Sequence, residues 1–335
     1  MRMTTTLDRI FAALFYGISS LLVVFVNKIV LTTYEFPSFL FLACMQFFAT
    51  CVVLGVLSVA RYIELPRLSV EIIREVLPVS LMFLGNVISG LGSTQALNLP
   101  MFTALRRFSI LMTMMGEYLV LSSVPSNPVA ISVAMMVGGA VIAAVFDLTF
   151  NAWGYFYILL NDIFTALNGV YLKKASLSSK CSKMAVLFYN SAFSSFFVII
   201  FFMTGQMYYY DHNVGSAEGS ELDRVLRFKG WMKLDFILLF VLAATMGSVL
   251  NYSIFLCTSV NSALTTAVVG CLKNVLTTYV SMVLLTDYTF SWVNFIGLNV
   301  SIAGSLVYTY AVMYLGNATA AAKTTPPKVS GSARV

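Results

Sequence analysis

The chain has 335 residues, of which 59% are hydrophobic and only 10% charged, whereas soluble domains carry about 25% charged residues. This balance describes a polytopic membrane protein with almost no soluble part, and it breaks the usual link between length and domain count. The net charge of +6 does not indicate nucleic-acid binding, because the basic residues lie scattered at the ends of apolar runs and form no basic face.

A helix that crosses a bilayer needs about 20 apolar residues. Ten runs qualify: 10–32, 37–60, 77–97, 101–123, 128–147, 153–173, 184–205, 234–258, 262–285 and 291–314. The fold class is therefore an all-α polytopic membrane protein with ten transmembrane helices. Arg2 and Arg9 precede the first run, which has no small-x-small cleavage site and reads as an uncleaved span. Lys28, near the end of that run, is expected to reach the interface. Pro37, Pro78, Pro100 and Pro128 fall at or near run starts, where a missing N–H does least harm. Gly85, Ser89, Gly139, Ala143, Ala244, Ser248, Ser301 and Ser305 recur at four-residue spacing, which suits close helix packing. Connections are short except for the polar stretch from Gln206 to Lys233, which carries the single histidine, His212. Residues 317–335 read as a disordered cytosolic tail. The five cysteines show no CxxC spacing and read as buried apolar thiols, not a metal site or disulfide framework.

Lysines and arginines of short loops set orientation. With the N-terminus cytosolic, Arg61, Arg67, Arg74, Lys173, Lys174, Lys180 and Lys183 share its side. Arg224, Arg227, Lys229 and Lys233 lie opposite, offset by nearby acids. An even span count puts both termini in the cytosol. Residues 1–150 and 151–316 hold five runs each. They echo one another: Arg106-Arg107 precedes Gly138-Gly139-Ala140 as Lys273 precedes Ala303-Gly304-Ser305. An odd number of spans per half gives two inverted five-helix repeats, an arrangement that places a transport site at the repeat interface near the midplane.

Charges within or near the runs are Lys28, Arg106, Arg107, Glu117, Asp162 and Lys273. Lys273 lies about 16 Å into its run at 1.5 Å per residue. A cation at that depth costs about 3 kcal/mol on insertion scales, so its retention points to use, most simply to meet an anion. Arg106 and Arg107 point about 100° apart on a helix and cannot both face one cavity well; which one does so stays open. Glu117 shares a face with Arg106 but lies about three turns away. Asp162 is expected to pair with a basic residue across helices. Buried cations exceed buried anions, which favours anionic cargo such as a phosphate or diphosphate, a ligand that both guanidinium forks and ammonium groups bind. Gly270 permits close backbone approach and Asn274 offers hydrogen bonds. Tyr189-Asn190 opens the seventh run; a ring beside an amide suits a nucleobase, or equally core packing and helix contact. There is no HExxH, GxSxG or P-loop before a span. The residues therefore describe neither an enzyme nor an ATP-driven pump, and they call for no cofactor. A membrane-embedded transferase would need an acidic metal site or luminal base, and no such cluster is present.

Phe188-Tyr189-Asn190 and Gly270-Cys-Leu-Lys273-Asn274 resemble the two signature regions of the nucleotide-sugar transporters of the drug/metabolite transporter superfamily. The similarity extends through Phe25–Ser38, Asn98–Leu111, Leu160–Tyr171, Asn261–Asn274 and Asn294–Tyr308. These strings are similar to the subfamily carrying UDP-glucuronate and UDP-N-acetylgalactosamine. The resemblance implies a Golgi or endoplasmic reticulum membrane protein that exchanges a cytosolic nucleotide sugar for a luminal nucleoside monophosphate. By it, Tyr189 and Asn190 would contact the nucleoside, and Gly270, Lys273 and Asn274 the phosphates, with Arg106 or Arg107 assisting. In the GDP-mannose branch the motifs read FYNN and GALNK. Here Ser191 replaces the second Asn and the order is Lys273-Asn274, departures that disfavour guanine and favour uracil. The implied partners are the nucleotide sugar, the monophosphate and membrane lipid; homo-oligomerisation and the choice of sugar stay open. A sugar-phosphate or other organic-anion exchanger of the same superfamily is the alternative.

Overall fold

The computed structural model describes residues 6–66, 69–122, 124–175, 183–212, 220–261, 263–285 and 288–324. Their regular structure is helical throughout. In chain order the helices are α1 (Thr6–Lys28), α2 (Phe39–Val59), α3 (Val70–Ala96), α4 (Leu99–Leu105), α5 (Phe108–Leu121) and α6 (Asn127–Val145), then α7 (Ala152–Ala175), α8 (Lys183–His212), α9 (Glu221–Leu226), α10 (Leu234–Val260), α11 (Ala263–Leu284) and α12 (Trp292–Thr324). Seven of them are long and apolar enough to cross a membrane: α1, α2, α3, α6, α8, α10 and α12. The other three expected spans fall on α4–α5, α7 and α11. These are interrupted or carry polar groups such as Asn161, Asp162, Lys273 and Asn274 within the helix.

Local chemistry sets the helix starts. Ser38, Ser69 and Asn98 are N-caps whose side-chain oxygens accept from Phe41, Ile72 and Met101, and Pro100 and Pro128 occupy the first turns of α4 and α6. Pro78 departs from expectation. Because Ser69 caps α3 about two turns earlier, Pro78 lies inside the helix. The expected run 101–123 is broken at Arg106-Arg107. An unbroken helix would pair the Arg107 N–H with Thr103 O, but Arg107 Nε donates to that carbonyl at 3.4 Å. The N–H donates instead to Ala104 O at 3.2 Å, and α4 ends.

The expected polar loop is partly ordered. α8 continues to His212, and α9 begins in a capping box between Ser220 and Asp223. Val225, Phe228 and Trp231 then pack on Phe36, Phe236 and Phe240, with the Trp231 and Phe240 rings 5.0 Å apart. α12 likewise runs to Thr324, so the helix takes in the start of the segment expected to be a disordered tail; residues 325–335 lie outside the described part.

The small-residue expectation is met most directly between α6 and α12. A Cβ at Gly297 would sit 2.5 Å from Ala143 N, one at Gly304 2.6 Å from Met136 N, and one at Gly139 against the Ser301 backbone. Asn294 Nδ2 adds a bond to Ala143 O at 2.6 Å. Three further sets of contacts come in matching pairs: α3 with α7 and α1 with α10, α5 with α7 and α1 with α11, α3 with α8 and α2 with α10. α2 also meets α8, and α4 crosses α11.

Candidate functional site

The α4–α5 break aims the two arginines apart, as a 100° offset requires. Arg107 is 4% exposed; its guanidinium donates to Ser301 O of α12 through Nη1. Arg106 is solvent-exposed, stands 5.7 Å from the Phe102 ring centroid, and lies within electrostatic range of Lys273, Tyr16 and Asp162. Immediately before the break, Thr103 Oγ1 and Thr278 Oγ1 meet at 2.8 Å, fixing α4 against α11.

From α11, Lys273 Nζ donates to Ser20 Oγ of α1 and lies 5.9 Å from the Tyr16 ring centroid. A Cβ at Gly270 would come within 3.2 Å of the Tyr16 hydroxyl. Gly270, Lys273, Asn274, Arg107 and Tyr16 line one cavity of about 280 Å³, closed on the α12 side by Ser305 and Tyr308. A neighbouring cavity of about 520 Å³ shares Ile110 and Tyr308 with it and is lined by Ser109, Thr113, Glu117 and Thr165.

The structure thus gathers Lys273, Asn274, Gly270 and both arginines, but it does not bring Tyr189 and Asn190 to them. Tyr189 is 7% exposed, and its hydroxyl donates to Pro66 O of the α2–α3 connection. Asn190 Oδ1 accepts from Ser80 Oγ of α3 at 2.8 Å. Lys28 is a correction: it is 2% exposed and does not reach outward. Its Nζ donates to Leu97 O at 2.6 Å, where the C-terminus of α3 presents carbonyls that favour a cation. Asp162 is fully buried at 0% exposed and within reach of Arg106, yet neither carboxylate oxygen makes a hydrogen bond. Sequence reasoning missed Tyr16 and Ser20. Their signal was a four-residue spacing of polar groups on the buried stripe of α1.

The cavities lie toward the end of the bundle holding the α2–α3, α5–α6 and α10–α11 connections. There Asn261 Nδ2 reaches Arg9 O at 3.0 Å. The opposite end is shut by the Phe36–Trp231–Phe236 cluster. Polar ties reinforce it: Tyr34 donates to Asp235 at 2.7 Å, and Asn98 to Thr149 at 2.7 Å.

A bundle of membrane-length helices with cations lining an internal cavity beside a broken helix has the form of a membrane carrier. The chain matches the Triose-phosphate Transporter family over residues 8–309 and belongs to that family. It is 46% identical to the UDP-sugar transporter UST74c of Drosophila melanogaster, covering 90% of this chain and 77% of that one. It is 43% identical to the UDP-sugar transporter sqv-7 of Caenorhabditis elegans (95% and 93%). With the nucleotide sugar transporter SLC35D2 of Homo sapiens it shares 41% (93% and 88%). A solved crystal structure at 14% identity superposes with a TM-score of 0.51 over 91% of this chain and 97% of that one, a likeness of fold alone.

Proposed function

We propose that the protein is a UDP-sugar antiporter of the Golgi or endoplasmic reticulum membrane, carrying the nucleotide sugar inward to the lumen in exchange for UMP. The observation that carries this reading is the convergence of Lys273 and Arg107 on one cavity beside the α4–α5 break, with Arg106 in electrostatic range of Lys273, alongside relatives named for UDP-sugar transport. Lys273 and Arg106 neutralise phosphate, Asn274 hydrogen-bonds it, and Gly270 leaves it room beside Tyr16. Arg107, tied to α12, braces the break. Tyr189 and Asn190 serve the nucleoside after their bonds to Pro66 and Ser80 are exchanged for cargo. UMP shares the nucleoside and a phosphate with the sugar nucleotide, so both use one site.

Ten spans in two inverted repeats, with both termini cytosolic, fit this mechanism. Matching α1, α2 and α3 with α7, α8 and α10, α5 with α11 and α6 with α12 maps three pairs of contacts between the halves onto one another, which suits rocking of two halves about a central site. Under this topology the open end faces the cytosol. The test is uptake into liposomes loaded with UMP, across a panel of UDP- and GDP-sugars. Exchange of UDP-sugars that depends on internal UMP supports the reading, and its absence rejects it.

One observation favours a second reading, a sugar-phosphate exchanger: Tyr189 and Asn190 are held away from the cation cavity. Inhibition by free UMP separates the two, since a site without a base pocket responds equally to ribose phosphate.

A further inference from the structure

The cation cavity of about 280 Å³ falls below the range of roughly 300–1,000 Å³ that ligand pockets ordinarily span, and a nucleotide sugar extends well beyond its phosphates. The neighbouring cavity of about 520 Å³ lies within that range, and Ile110 and Tyr308 belong to the walls of both. Ile110, Thr113, Met114 and Glu117 lie three, four and seven residues apart and share one face of α5. This stripe leads from the cation cavity to Glu117, about 10 Å further along at 1.5 Å per residue. Across the larger cavity stands Ser126. It is the N-cap of α6, yet its side chain makes no capping bond, where a serine ordinarily accepts from the first turn. Its Oγ is buried and no protein group meets it, an arrangement that costs stability and that a polar ligand would relieve.

The lining suits a sugar better than a base. A base calls for a ring to stack on and an amide at its edge, and the pair of that kind, Tyr189-Asn190, sits on α8, which packs on α2 and α3. The walls of the larger cavity belong to α5, α6, α7 and α12. A hexose presents several O–H donors. Glu117 supplies a carboxylate, a group of acceptors. Thr113 Oγ1 gives its proton to Ser109 O at 2.7 Å and is left to accept, while Ser126 Oγ can donate or accept. Met114 and Val129 offer apolar surface to the C–H face of the ring.

We propose that the larger cavity is the sugar subsite of the carrier, with Glu117 and Ser126 receiving the hexose hydroxyls. The inference rests on the UDP-sugar reading. UMP carries no second sugar, so the two exchanged cargoes share the phosphate site and differ at this one. A neutral hexose or hexosamine brings its full set of donors to Glu117. A uronate brings a carboxylate in place of one hydroxyl, and that group accepts where Glu117 needs a donor.

The test uses the full chain in liposomes and labelled UMP exchange. The readout is the half-inhibitory concentration of an unlabelled UDP-sugar divided by that of unlabelled UMP, a ratio that does not depend on how much protein folds. Glu117→Gln turns charge-assisted hydrogen bonds into neutral ones and should raise the ratio for UDP-N-acetylgalactosamine about fivefold. It should raise the ratio for UDP-glucuronate less, because the charge it removes also repels the uronate. Ser126→Ala has no side-chain bond to lose in the free protein and should raise the ratio for both sugars about threefold. A ratio for UDP-N-acetylgalactosamine unmoved in either variant overturns the proposal, as does a Glu117→Gln protein that loses the uronate as much as the hexosamine. If Glu117→Gln does not fold, Ser126→Ala decides alone. A wild-type protein that exchanges no nucleotide refutes the antiporter reading itself; normal exchange with unmoved ratios refutes only the sugar subsite.

Discussion

Replacing Lys273 with Met separates a functional cation from a structural one, because the two roles predict opposite changes in stability. Lys273 Nζ is met by one hydroxyl and one aromatic face, and among the described residues no carboxylate pairs with it. Removing an ammonium whose burial costs about 3 kcal/mol, while leaving Ser20 short of one bond at about 1 kcal/mol, gives a net gain. The melting temperature should hold or rise by a few degrees. Toward cargo the sign reverses. An ammonium about 4 Å from a phosphate charge interacts by about 4 kcal/mol at an effective dielectric near 20. If water recovers half of that, affinity still falls about thirtyfold. The assay is thermal unfolding in detergent with and without UMP, followed by liposome exchange. Wild type at about 100 times its Kd gains about 2.7 kcal/mol from ligand, and Lys273→Met, about thirtyfold weaker, should gain only about 0.9 kcal/mol at the same concentration. A variant that melts lower yet keeps its UMP-induced shift would refute the phosphate assignment.

Gly138 and Gly139 make a paired control for helix packing. A Cβ at Gly139 meets the Ser301 backbone, whereas nothing lies within 4 Å of one at Gly138. Gly139→Ala should destabilise by about 1–3 kcal/mol through overpacking, while Gly138→Ala gains up to about 1 kcal/mol of helix propensity; thermal unfolding of the two variants reads the contrast. Lys28→Met strands the Leu97 carbonyl and should cost about 1–3 kcal/mol, against about 0.5 kcal/mol or less for a side chain that merely reached the interface. Asn190→Ala should weaken UMP-induced stabilisation more than Ser80→Ala does, if the amide leaves Ser80 to meet the nucleoside. Equal effects of the two would mark the pair as a helix contact only.

Hydropathy located the helices because length and apolar content are averaged over many residues. It could not mark what a single side chain decides. The break at Arg106-Arg107 carries neither Gly nor Pro; it depends on Arg107 Nε taking a carbonyl from its own backbone, a competition invisible to periodicity. The burial of Lys28 likewise depends on where α3 ends, some seventy residues away in sequence. Gly139, Ala143 and Ser301 were legible, because small residues at four-residue spacing leave helix backbones only one way to approach closely. Lys273 was legible as an anomaly of cost, but its neighbours Tyr16 and Ser20 were not. Tyrosine and serine in a membrane helix cost little, so their presence demanded no explanation.

The same asymmetry of cost governs how the bundle divides its work. The sealed end is held by rings that pack edge to face and by neutral or singly charged hydrogen bonds such as Tyr34 to Asp235. The α6–α12 seam is held by backbone contact. Neither depends on the cations at the α4–α5 break, which instead spend stability on burial that cargo can repay. An empty cavity lined by the cations Lys273 and Arg107 is costly to close over in a low-dielectric interior, whereas a cavity filled by an anion is less so. On this account reorientation is slow without cargo, and one-for-one exchange follows from electrostatics without a separate coupling device. Removing charge from the cavity should therefore relax the coupling. Among variants that still bind UMP, Arg106→Gln should raise uptake into unloaded liposomes relative to UMP-loaded ones, and a loaded-to-unloaded ratio equal to wild type would sink the argument.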